Sequence, residues 1–202
     1  MKIEQLKEKI KSRRGVPPPG RDTITFLNCV ASQPGKEVLD MGTGSGLIAI
    51  FFALKDRKVT ASDISQEAIE VASENAENLN AKIKFVESNL FDKIDDKFDL
   101  ILFNPPMGNA SGSKILDYVK SFIPKNKFTL KLASLFFKSE RKSLLERFVI
   151  NGLSHLKKNG VIITIIHESE RKFIESLVTN KVEVLKHFAD YNNFEIIKII
   201  KK

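Results

Sequence analysis

The chain has 202 residues, 42% apolar and 29% charged, with a formal net charge of +8. That is one domain's length, enough to bury roughly 70% of the unfolded surface without a disulfide or a metal. The single Cys29 excludes an internal disulfide, three scattered histidines give no zinc spacing, and apolar runs such as 48–54 are too short to span a bilayer. The expectation is a reduced, cytoplasmic setting with no membrane contact; the charged segment 1–14 is no signal peptide. Residues 37–104 carry seven Lys/Arg against thirteen Asp/Glu, while 105–202 carry eighteen against nine. An acidic centre between basic flanks fits a neutral or cationic ligand in the centre and a polyanion at the flanks, or simply solvated helix faces.

In chain order, Ile3, Leu6 and Ile10 fall at helical spacing within 1–14. Gly15-Val16-Pro17-Pro18-Pro19-Gly20 ends that helix, because proline lacks the N–H a helix needs. A second helix begins near Asp22 or Thr23, both good N-caps, and turns Ile24, Phe26, Leu27 and Val30 inward. Cys29 on this helix reads as a small buried thiol. These elements form an N-terminal helical extension, residues 1–35.

From residue 36 to 202 the pattern is that of a catalytic domain built from alternating strands and helices. Strands are expected at 37–41, 58–61, 82–86, 98–103 and 161–166, with helices at 45–54, 66–79, around 143–157 and at 168–178. Two last strands, 182–188 and 194–200, make a hairpin. The expected class is α/β: a Rossmann-like, mostly parallel seven-stranded sheet with helices on both faces and a C-terminal antiparallel hairpin.

Asp40-Met41-Gly42-Thr43-Gly44-Ser45-Gly46 joins the first strand to its helix. Glycines there let a ligand approach the backbone beside an electropositive helix N-terminus. Asp63, at the end of the second strand, is placed to accept two ribose hydroxyls. The loop alone also suits simple helix–strand packing; loop and acid together point to an adenosine-containing ligand. A dinucleotide fingerprint would need a third glycine where Leu47 stands.

The strand Phe98-Asp99-Leu100-Ile101-Leu102-Phe103 ends in Asn104-Pro105-Pro106-Met107. Two prolines preset a rigid loop, so the Asn104 carboxamide and the Pro105 carbonyl can both face a site at the carboxyl end of the sheet.

The G-x-G-x-G spacing preceded by Asp40 resembles motif I of class I S-adenosylmethionine-dependent methyltransferases. The Asn-Pro-Pro motif resembles that of enzymes methylating adenine, guanine or glutamine amide nitrogens. Within that group the likeness is to the HemK/PrmC family of release-factor glutamine methyltransferases. Pro19-Gly20-Arg21-Asp22-Thr23 is similar to its Pro-x-x-Asp-Thr segment, and Ala61-Ser62-Asp63-Ile64-Ser65, with Ala68 and Asn75, to its post-motif-I signature. The resemblance covers 16–107 and implies S-adenosyl-L-methionine as cofactor. It implies Gly42, Gly44 and Gly46 at the methionine moiety, Asp63 at the ribose, Asn89 and Leu90 at the adenine, and Thr23, Asp40, Ile64 and Asn104 bordering the same ligand. Asn104, Pro105, Pro106 and Met107 would carry the chemistry. By the resemblance, the Asn104 oxygen and the Pro105 carbonyl would accept the two hydrogens of a planar amide or amino group and favour its pyramidal form. The methyl would then transfer in line by positioning and electrostatics, without a metal. The family usually has an acid where Asn89 stands and an aromatic where Met107 stands; Met107 can still offer a sulfur–π contact of about 0.3–1.5 kcal/mol. The implied acceptor is a protein glutamine, as in the Gly-Gly-Gln loop of a release factor.

Residues 107–142 interleave Lys114, Lys120, Lys125, Lys127, Lys131, Lys138, Arg141 and Lys142 with Tyr118, Phe122, Phe128, Phe136 and Phe137. This is either an RNA-binding surface, serving methylation of an RNA or DNA base amino group, or a helical cap with solvated lysines. His155 and His187 read as structural or exposed; His167, ending the fifth strand, is a candidate border of the site. A non-catalytic RNA- or protein-binding module of the same fold is the contrasting class, and the complete Asn104-Pro105-Pro106 argues against it.

Overall fold

The structure is a computed structural model that describes residues 1–105, 127–179, 181–188 and 193–201. The elements run α1 (Ile3–Lys9), α2 (Arg21–Val30), β1 (Glu37–Met41), α3 (Leu47–Ala53), β2 (Lys58–Asp63), α4 (Gln66–Asn78), β3 (Ile83–Glu87), β4 (Phe98–Phe103), α5 (Lys127–Ser154), β5 (Leu156–His167), α6 (Arg171–Leu177), β6 (Lys181–Phe188) and β7 (Phe194–Ile200). They form one seven-stranded sheet in the order β3-β2-β1-β4-β5-β7-β6. The first five strands are parallel, and β7 lies antiparallel between β5 and β6. The mixed sheet and its terminal hairpin match the α/β expectation.

Side chains alternate across the sheet, as a period of two requires. Ile163 and Ile165 join one apolar cluster with α1, α2 and α3, while Ile162 and Ile166 join the opposite one with Leu145, Phe148 and Ile174 of α5 and α6. Six consecutive residues of α3, Leu47 to Phe52, are buried. A helix apolar all round needs cover on its outer face too, and α1 supplies it through Ile3 and Leu6. The N-terminal helices thus share a core with the sheet, and truncating Leu6, which is 1% exposed, would cost about 2–5 kcal/mol.

Four local features differ from the sequence expectation. The first helix stops at Lys9, and Arg13 pairs with Val16 in a short antiparallel bridge. The second starts at Arg21 with Gly20 as N-cap, which places Asp22 and Thr23 inside its first turn. The long helix begins at Lys127 and ends at Ser154, so Lys157 lies in β5; that strand starts early and absorbs a register shift between Phe98 and Leu100. β2 extends to Asp63.

The strand order reverses between β1 and β4. In an open α/β sheet the crevice beyond the carboxyl ends of such strands is where ligands bind.

Candidate active site

A cleft of about 1350 Å³ opens at that point. Its walls come from the Gly15–Gly20 strap, the loop after β1, Asp63 and Ile64 after β2, Ser88 to Leu90 after β3, Asn104 and Pro105 after β4, and His167 with Phe194 at the β5–β7 edge. Among the described residues its lining includes Asp22 and Asp63 and no lysine or arginine. A site so lined offers nothing to a diphosphate and suits a ligand with cationic centres.

The loop after β1 is shaped by three positive φ angles, at Gly42 (67°), Gly44 (54°) and Gly46 (88°). They serve different purposes. A Cβ at Gly44 would meet nothing within 4 Å, because that position faces open space. A Cβ at Gly46 would stand 3.0 Å from that of Ala72, so Gly46 lets α3 pack on α4 and does not line the cleft. Asp40 is also outside the lining. It is 1% exposed beneath the loop, and its Oδ2 accepts from Thr43 Oγ1 (2.7 Å) and the Ala49 amide (3.1 Å). Burial pushes its carboxyl up to about 7, against the two hydrogen bonds and with the charge of Asp63. Asp40 therefore holds the loop's shape from below.

Asp63 accepts the Gly44 amide on Oδ2 and the Ser65 amide on Oδ1, both at 3.0 Å. A carboxylate has about four acceptor sites, so it retains capacity toward the cleft. Ile64 beside it is 68% exposed. Across the cleft, Leu90 has a φ of 52° and its carbonyl accepts from Ser88 Oγ at 2.9 Å. Ser88 Oγ also accepts the Lys93 amide, so this buried serine fixes the loop that presents Asn89 and Leu90.

At the end of β4 the Asn104 Nδ2 donates to Asp22 Oδ2 (3.2 Å) and Thr23 Oγ1 (3.3 Å). Its Oδ1 is buried and has no hydrogen-bond partner among the described residues. Thr23, expected at the cofactor, thus meets the asparagine. Pro106 and Met107 lie outside the described residues, as do the residues from Lys114 to Lys125 and the side chains up to Lys138. Of the basic stretch, Arg141 bonds Glu170 (3.0 Å) and Lys142 sits 4.1 Å over the Phe173 ring, so both serve contacts within the chain.

His167 lines the cleft edge-on to Phe194, with its Nδ1 accepting the Ser169 amide at 3.2 Å. Two residues named in the resemblance without a role are supports. Asp22, also a candidate helix cap, meets Asn104, and Asn75 donates to the Ser45 and Lys11 carbonyls (2.9 Å each) and accepts the Lys11 amide, tying the N-terminal segment to the glycine loop.

The methyltransferase small domain family matches residues 21–133. A Methanocaldococcus jannaschii protein named as a protein N5-glutamine methyltransferase is 35% identical over 156 residues, covering 76% of this chain and 73% of its own. Release factor glutamine methyltransferases of Lactococcus lactis and Fusobacterium nucleatum are 33% and 32% identical over 89% and 95% of this chain, which spans 65% and 55% of their lengths. Among solved structures, the Thermus thermophilus 16S rRNA N2 G1207 methyltransferase, in complex with AdoMet and guanosine, superposes with a TM-score of 0.66 at 15% identity, over 91% of this chain and 43% of its own. The ribosomal protein L11 methylase of Lactobacillus delbrueckii gives 0.62 at 23%, over 90% and 79%. These two structures share the fold. The sequence relationship is closer, and by it the chain belongs to the methyltransferase small domain family, the enzymes of the class I fold that take their methyl group from S-adenosylmethionine.

Proposed function

We propose that this chain methylates the side-chain amide nitrogen of a protein glutamine, with a release factor as the acceptor protein. The observation that carries this reading is the buried Oδ1 of Asn104, a residue lining the cleft, which has no hydrogen-bond partner among the described residues. A buried acceptor left without a donor costs about 1–3 kcal/mol, and an incoming amide N–H removes that penalty. Three relatives named for glutamine methylation support a protein acceptor over a nucleic acid.

Bound S-adenosylmethionine supplies an electrophilic methyl on a sulfonium. Gly42 and Gly44 leave room for its methionine part, and the remaining lone pairs of Asp63 take the ribose hydroxyls. Ile64, Asn89 and Leu90 border the adenine. The Asn104 Oδ1 and the Pro105 carbonyl accept the two hydrogens of the glutamine amide, turning its nitrogen lone pair out of conjugation. Asp63 places negative charge on the cofactor side of the cleft, near the cationic centre. Met107, which follows the Asn-Pro-Pro motif in the sequence, is proposed as an acceptor contact.

The test is radiolabelled cofactor with purified chain and a release factor, beside the same factor with its Gly-Gly-Gln glutamine replaced by alanine. Label on the first and none on the second is expected. Equal labelling of both, or of neither, overturns the reading.

A further inference from the structure

We infer that Asp22 is a positioning residue that fixes which atom of the Asn104 carboxamide meets the acceptor. The inference rests on Asn104 being the acceptor-binding residue. A carboxamide has two faces of nearly equal shape, oxygen and NH₂, and only the oxygen can accept from an N–H. A carboxylate can only accept, so the atom facing Asp22 Oδ2 at 3.2 Å must be the Asn104 Nδ2. Thr23 Oγ1 at 3.3 Å cannot choose, because a hydroxyl donates or accepts with equal ease. The choice therefore lies with Asp22. The opposite flip would set oxygen against carboxylate and offer the acceptor nitrogen a donor it cannot use. The same bond is charge-assisted, and it polarises the carboxamide so that Oδ1 becomes the stronger acceptor.

A neighbouring residue leaves room for this placement. Gly20 has an ordinary extended backbone, with φ at −77°, so its conformation does not demand glycine. A Cβ there would instead collide with Asp22 Oδ1. Gly20 thus leaves the space in which one carboxylate oxygen lies while the other reaches Asn104. Asp22 and Asn104 are 82 residues apart in the chain, and this contact joins the start of α2 to the end of β4.

Two readouts test the assignment. The first needs no cofactor or acceptor. The Asn104 side-chain amide is identified by NMR through its loss in Asn104→Ala, and the solvent exchange of its protons is measured. Asp22→Asn should speed that exchange about tenfold, and Gly20→Ala, which removes no polar group, should shift it the same way by a smaller factor. Exchange unchanged in Asp22→Asn overturns the inference.

The second is turnover of a release factor. Asp22→Asn should lower kcat about tenfold with the Kd for S-adenosylmethionine within about twofold. Asn104→Asp should be worse, because it sets two carboxylates against each other with no donor between them. The exchange variant Asp22→Asn with Asn104→Asp restores one donor against one carboxylate and should recover activity above Asn104→Asp alone. A rise in cofactor Kd with normal kcat would make Asp22 a cofactor ligand and overturn the inference, as would an exchange variant no better than Asn104→Asp. A wild-type chain inactive on the release factor counts against the glutamine reading, while the exchange measurement still decides the role of Asp22.

Discussion

Replacing Asp40 with asparagine should flatten the pH dependence of folding stability. The carboxyl is buried at 1% exposure and raised from 3.8 to about 7 in the folded chain, chiefly by burial. The unfolded chain releases this proton near pH 4, whereas the folded chain keeps it until about pH 7. Between those values the unfolded state holds fewer protons, so the group subtracts about 1.4 kcal/mol of stability per pH unit as pH rises. The full effect is about 4 kcal/mol, reached near neutrality and constant above it. Asparagine keeps a carbonyl oxygen for the Thr43 hydroxyl and the Ala49 amide but never ionises. Urea denaturation of both proteins between pH 4 and pH 8 isolates the group, because every other titration is shared. The two should be similar at pH 4, with the variant gaining on wild type up to pH 7 and parallel beyond. A stability difference that does not change with pH would refute the reasoning.

Asn104→Ala should leave S-adenosylmethionine affinity nearly unchanged while lowering transfer by about a hundredfold or more, since its contact strengthens in the transition state; calorimetry and single-turnover assays separate the two. Wild type at a cofactor concentration of about a hundred times Kd should gain about 2.7 kcal/mol of stability, read as a rise in Tm, and Asp63→Ala should lose most of that rise. Gly44→Ala should cost about 1–2 kcal/mol of stability from its backbone angle but abolish most cofactor affinity. Gly46→Ala should do the reverse, with a larger stability loss of about 2–4 kcal/mol because Ala72 also stands in the way. Denaturation and cofactor titration of the pair check both statements.

The central sheet was legible because β1, β2 and β4 are short strands, apolar in β4 and mixed in β1 and β2, punctuated by glycine, aspartate and proline and each followed by its turn residues. The start of β5 was not. Lys157, Lys158, Asn159 and Gly160 have the composition of a turn, yet the strand runs through them beside Phe98 with a register shift. α5 was underestimated because lysines and apolar residues alternate around it without one clear face, so periodicity marks only its second half.

The site divides the same way. That Asp63, Gly44 and Asn104 would line the cleft was legible because each is tied to a place in the βα order. Asp22 was misread because an aspartate before an apolar run is also a good N-cap, and its real partner lies across the sheet. Gly46 shows the converse: a glycine in a ligand-binding spacing can be there for helix packing. Such assignments depend on contacts between residues distant in the chain, which local pattern does not carry.

The most direct test of the glutamine assignment is to incubate a cell extract with radiolabelled S-adenosylmethionine and this chain, then treat halves with protease or ribonuclease. Label should survive ribonuclease, disappear with protease and be absent when Asn104→Ala replaces the wild-type chain. Label that survives protease and vanishes with ribonuclease would contradict it.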